Sequence, residues 1–154
     1  MASKREALLE YLKTLLAGIT TGSGYNFTVN TVARGIKNVR EMSEDQLPAL
    51  FITMTHEKRI NRTVAHFSGD LQVIIVGYVK TTKGDLGSSG TGVELDLDKL
   101  IADATKIIET DRLQGGRVYA TEITDIVTDD GDMFPVSGFV MSVTFSYVTE
   151  GTTP

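Results

Sequence analysis

Cysteine is absent from the 154 residues, which excludes disulfides and thiolate metal sites and leaves the redox compartment open. No apolar run approaches the ~20 residues that span a bilayer as a helix, so no membrane partner is expected. The opening stretch, MASKREALLEYLK, is charged and amphipathic at once. It lacks the apolar core and small-residue cleavage site of a secretory signal, which makes the cytoplasm the expected place of synthesis. Histidine occurs only twice, at His56 and His66. Uniform basicity, the footprint of a nucleic-acid binder, is missing too, since the net charge is −5. What is present, 41% hydrophobic and 23% charged residues, is the composition of an ordinary globular domain long enough to bury a core.

The charge is unevenly spread. Residues 1–80 hold ten Lys/Arg against seven Asp/Glu, net +3, whereas residues 81–154 hold five against thirteen, net −8. Two readings stand: a mixed solvated surface, or faces of opposite sign that meet when copies pack head to tail.

Periodicity lays out the elements. Ser3 and Glu6 have capping-box spacing, and Leu8, Leu12, Leu15, Leu16 and Ile19 form one helical stripe opposite Lys4, Arg5, Glu10 and Lys13. Gly18 is placed to end that helix in the left-handed conformation. Tyr25, Phe27 and Val29 alternate with polar residues, predicting a strand, and Gly35 allows a turn. Residues 37–46 read as loop, Ala49–Thr55 as a buried strand and HEKRIN, His56–Asn61, as a hairpin tip. Alternation from Thr63 to Val79 predicts one long strand bent at Gly69, where a missing side chain tolerates a bulge. Residues 81–92 are rich in Gly, Ser and Thr and predict a flexible loop. A second helix carries Leu97, Leu100, Ile101, Ala104, Ile107 and Ile108 on one face, with Asp96, Asp98 and Asp103 suited to its first turns. Strands at 118–128 and 134–148 follow, joined by an Asp/Gly turn at 129–132.

The order predicts a single α+β domain over 1–154: a mainly antiparallel β-sheet with two helices packed on one face. The opposite sheet face would carry Ile74, Val76, Tyr78, Val140 and Val148, more apolar than a monomer needs. Burial by a partner and curling of the sheet onto itself both explain it.

Catalytic and ligand motifs fail on inspection. The Gly-rich stretch has Lys83 before its glycines and none after Gly92, so the lysine of a phosphate loop is missing. The acidic turn at 129–132 lacks the oxygen ladder and closing glutamate of a calcium loop. His56 and His66, with Glu57 and Asp70 nearby, would face one another across a hairpin tip at 58–61, yet the spacing matches no zinc pattern. No Gly-x-Ser-x-Gly elbow occurs. No catalytic residue, metal or cofactor is expected. Two basic segments, Arg34–Lys37–Arg40 and Lys58–Arg59–Arg62, lack the interleaved aromatics of a single-strand binder. They read as solvated loop or as contacts to an acidic neighbouring subunit.

One stretch carries a resemblance. GYNFTVNTVARGIKNVREMSEDQLPAL, Gly24–Leu50, set behind an amphipathic helix and followed by a long hairpin, a second helix and closing strands, resembles the tail terminator (tail completion) proteins of long-tailed bacteriophages. The resemblance implies a homo-oligomeric ring, commonly a hexamer, at the head-proximal end of the virion's tail. Such a ring caps the tail tube protein, ends tube polymerisation and offers the attachment surface for the neck or head-completion protein. DNA would pass through its lumen without specific binding, and an acidic balance suits that role because it neutralises no phosphates. Arg34, Arg40, Arg59, Arg62, Lys83 and Asp85 are the candidate subunit or tube contacts. Another head–tail joining protein or a tail tube subunit is the alternative. From other classes, a small-molecule or hydrolytic enzyme and a monomeric binding module remain rivals.

Overall fold

Helix α1 (Lys4–Ala17) starts where the Ser3 hydroxyl accepts the Glu6 amide at 3.1 Å, satisfying one of the orphan donors of the first turn. The computed structural model describes residues 3–61, 66–80, 92–128 and 136–150. Leu8, Leu9, Leu12 and Leu16 are buried, so the predicted stripe is one residue wider than expected. Gly18 corrects an expectation: it is right-handed, with φ −78° and ψ −2°, and its amide donates to the Leu15 carbonyl. The helix therefore closes in a tightened i→i−3 turn rather than a left-handed cap.

Residues 25–30 are not a strand. The first strand, β1, is Thr31–Arg34. The alternation at Tyr25, Phe27 and Val29 reported direction correctly, since all three pack partly buried against the core. Their backbone polarity is satisfied differently. Asp103, mid-way along helix α2 (Gly92–Thr110) and buried, accepts the amides of Asn26 and Phe27 at 3.0 Å each and the Asn26 side chain at 3.0 Å. Asp103 is thus a tertiary clamp and not the first-turn carboxylate expected.

Strand β2 (Ala49–Asn61) runs straight through HEKRIN, and its antiparallel partner β3 (His66–Lys80) pairs from Phe67 opposite Asn61 to Tyr78 opposite Ala49. The tip therefore lies beyond residue 61, and within HEKRIN Glu57 is partly buried on the helix-facing side while the other five residues are exposed. Strands β4 (Ala120–Thr128) and β5 (Val136–Glu150) complete a five-stranded sheet ordered β1-β2-β3-β5-β4. Every neighbour pair is antiparallel except β1 with β2. The fold is the α+β class expected. The predicted loop at 81–91 and the turn at 129–132 lie outside the described residues; Gly92 already belongs to α2.

Both helices cover one sheet face. Leu8, Leu12 and Leu16 of α1 and Leu100, Ala104 and Ile108 of α2 meet Leu71, Val73 and Ile75 of β3 and Phe139, Met141, Val143, Phe145 and Tyr147 of β5. Gly69, predicted as a bend, is in register opposite Tyr147; a Cβ there would stand 2.7 Å from the Tyr147 ring. Gly77 does the same for Phe139, at 2.3 Å, with Leu50 at 2.9 Å. The glycines are seats for aromatic rings. The bulges lie elsewhere, at Thr55 in β2 and Thr124 in β4. Each threonine hydroxyl donates to a carbonyl of the facing strand, Gln72 at 3.3 Å and Ser142 at 3.2 Å.

Two stability predictions follow from these seats and clamps. Asp103→Ala strands two main-chain amides and should cost about 3 kcal/mol in urea unfolding, with Asp103→Asn retaining part of it. Gly77→Ala should cost about 1–3 kcal/mol, because neither the Phe139 ring nor Leu50 has room to yield.

Candidate interaction surfaces

The sheet ends in two unlike edges. On one side β1 pairs only with Ala49–Ile52 of β2, and among the described residues nothing pairs with β2 from Thr53 to Asn61 on that side. On the other side β4 presents its whole outer length, and Glu122 and Thr124–Thr128 are exposed. Where β1 stops, a groove of about 720 Å³ opens beside β2. Ile52, Thr53 and Met54 form its floor, with Arg5 and Leu9 of α1 on one wall and Arg34 and Gly35 on the other. Arg34 is held there by Glu10 at 3.2 Å, an exposed pair of small energetic weight.

The face away from the helices is more than a solvated surface. Register places Ala33, Phe51, Val76, Val140 and Val127 in one row across all five strands. The β1–β2 end of that row is covered by the chain's own residues: Leu47, Ala49, Phe51 and Val76 form a second small core against which Met42, Ile74 and Tyr78 pack. The Phe51 and Tyr78 rings meet edge to face, centroids 6.1 Å apart. Burial raises the Tyr78 hydroxyl above its ordinary pKa. The other end stays open, with Val140 37% and Val127 56% exposed beside a shallow hollow of about 240 Å³. Neither sheet curling nor a partner accounts for the covered half; residues 42–47 do.

Of the six candidate contact residues, Arg34 lines the groove, Arg40 lies exposed in a short 3₁₀ turn (Val39–Glu41), and Arg59 is exposed on the free half of β2. Arg34 pairs opposite Ile52, so Arg59 stands seven residues farther along the strand, about 23 Å away. The two do not form one patch. Arg62, Lys83 and Asp85 lie outside the described residues. The imagined histidine pair is corrected as well. His56 faces Gln72 and His66 faces Glu150, which sets the histidines six residues apart along β3, about 20 Å. Among the described residues no cluster of three or more His, Asp or Glu is arranged to hold a metal, and no helix is long and apolar enough to cross a membrane.

Two polar ties were invisible to sequence reasoning because their members lie far apart in the chain. Glu57, on the helix-facing side of β2, accepts Arg5 Nη1 at 3.3 Å and the Tyr147 hydroxyl. Burial, then the Glu57 hydrogen bond, push Tyr147 up to about 12. The Tyr11 hydroxyl donates to Asp111, which also accepts the Gly115 amide at 3.0 Å, while the Arg117 guanidinium lies 4.3 Å over the Tyr11 ring. The Tyr11 hydrogen bond, followed by that of Gly115, holds the Asp111 carboxyl below the usual range. Both ties fix α1 to the sheet and to the exit of α2.

No protein-family model matches this chain, and no curated protein matches it.

The Tyr147 tie sets an alkaline limit. A hydroxyl raised from 10.0 to about 12 stabilises the fold fully below pH 10, and that contribution is lost as pH climbs to about 12. Tyr11 and Tyr78 shift in the same direction, so the diagnostic is a difference. Between pH 10 and 12 the urea midpoint of the native chain should fall more steeply than that of Tyr147→Phe.

Proposed function

We propose that this chain is a structural subunit of a bacteriophage tail, forming a closed ring that caps the tail tube, ends its polymerisation and presents the surface for neck attachment. One observation carries the reading: a single sheet with two different open edges on opposite sides. A contact between unlike surfaces repeats from copy to copy and closes into a ring when its rotation divides a full turn. Two identical edges would favour a two-fold dimer instead. The resemblance of Gly24–Leu50 to tail terminators supports the same reading independently, and so does the uncovered apolar end of the outer face. In this reading the working parts are a rim, a lumen and their charges. No bond is made or broken, and tube protein, neck protein and passing DNA are the partners.

Native mass spectrometry with negative-stain imaging of the purified chain is the test. A discrete annulus of fixed subunit number, six by the resemblance, is the expected result. Long filaments would transfer the chain to the tube subunits, and solitary molecules at high concentration would remove it from tail assembly altogether.

A further inference from the structure

We infer that the ring closes by strand addition: the free edge of β4 in one copy lies antiparallel along the free half of β2 in the next, with the apolar end of β4 in the groove beside α1. The inference rests on the ring reading above and specifies its contact.

Three features of the two edges agree. Their lengths match, since Thr53–Asn61 and β4 each supply nine residues. Their chemistry matches in one direction only. Along β2 the chain passes from the exposed Met54 at the groove to Lys58 on the outer face, with Arg59 following on the helix-facing side. Along β4 it passes from the acids Glu122 and Asp125 to Ile126 and Val127, both exposed. Antiparallel alignment with Glu122 opposite Lys58 sets the two acids on the same outer face as Lys58 and brings Ile126 beside Met54, itself 39% exposed. Parallel alignment would set Val127 against Lys58. The topology agrees with that direction for a ring whose axis runs roughly along the strands. Strands β2, β3, β5 and β4 alternate, so β4 runs opposite to β2. Rotation about an axis roughly along the strands preserves that opposition in the neighbouring copy.

Strand addition would pair main-chain groups that otherwise rely on water and would fill a ready-made groove, the usual economy of this recognition mode. The bulges at Thr55 and Thr124 interrupt both edges. Bulges hinder flat, indefinite pairing, and here they restrict docking to a partner with a short matching window.

A chain without cysteine permits a direct test. Lys58 and Glu122 both lie on the outer sheet face, opposite Asp70 and Thr144. Single-cysteine variants Lys58→Cys and Glu122→Cys are mixed under mild oxidation and read by non-reducing mass spectrometry. A crossed disulfide is expected, because antiparallel pairing brings the two Cα atoms within the ~7 Å that a disulfide tolerates. A Lys58→Cys with Val127→Cys mixture should stay unlinked, because Val127 is five residues farther along β4, about 16 Å. In parallel, Lys58→Glu should raise the concentration needed for assembly by roughly five-fold per contact, and adding Glu122→Lys should restore it. An annulus that forms without the 58–122 link, or that links 58 to 127, overturns this contact and leaves the ring reading standing. A native chain that never assembles overturns both.

Discussion

Phe139, Met141, Val143, Phe145 and Tyr147 all point to one side of β5, and Leu71, Val73 and Ile75 of β3 point with them. Burying that face is the constraint on which the remaining structure depends. Two rings on it are so large that the neighbouring strand surrenders its side chains at Gly69 and Gly77 to seat them. Both helices must lie on the same side to keep water out. With α1 and α2 committed there, among the described residues it is the segment ending at Leu47 that folds back to cover part of the other face. The open edges and the exposed valines are therefore consequences of where the helices had to go.

Much of this was legible in the residue pattern, for a physical reason: burial on one face imposes a period, and a period is visible in one dimension. The α+β class, both helices and the one-sided β5 were read from it. Periodicity reports which way side chains point, however, and not what the backbone bonds to. Tyr25, Phe27 and Val29 point inward without belonging to a strand: a carboxylate 76 or 77 residues away takes the amides of Phe27 and Asn26, and the Thr20 and Ile19 carbonyls take those of Tyr25 and Val29. HEKRIN is strand without any apolar period, because neither of its faces is buried deeply enough to impose one. Gly18 and Gly69 show the same gap: a glycine announces conformational or steric room, and only the tertiary partner decides which of these is used.

The candidate surface was less legible than the fold. Arg34 and Arg59 were singled out as charges, and charge is readable; that Arg34 ends at a groove and Arg59 lies on the uncovered half of β2 depends on β1 stopping after four residues. The Glu57–Tyr147 and Tyr11–Asp111 ties join residues 90 and 100 positions apart, and no local spacing encodes them. Acidic β4 and basic β2 did appear as the charge asymmetry between the two halves of the sequence. Its meaning emerges only when the topology sends the two strands to opposite ends of one sheet.

Order within the sheet explains why opposite ends arise at all. A simple meander of consecutive hairpins would place the first and last strands at the edges. Here β5 inserts between β3 and β4, while β1 joins β2 in parallel and covers only its first half. Among the described residues the long β2–β3 hairpin consequently projects past its neighbour with a one-sided, basic free edge, whereas β4 is outermost with its acids and has no covering strand. In a monomer such edges are a liability that short length, charge and bulges hold in check. Charge and bulges are present here, yet the charges on the two edges are of opposite sign. Like charges would repel every copy equally; opposite ones repel an edge from its own kind and draw it to the other. In the proposed ring, that selectivity favours head-to-tail succession over two-fold pairing.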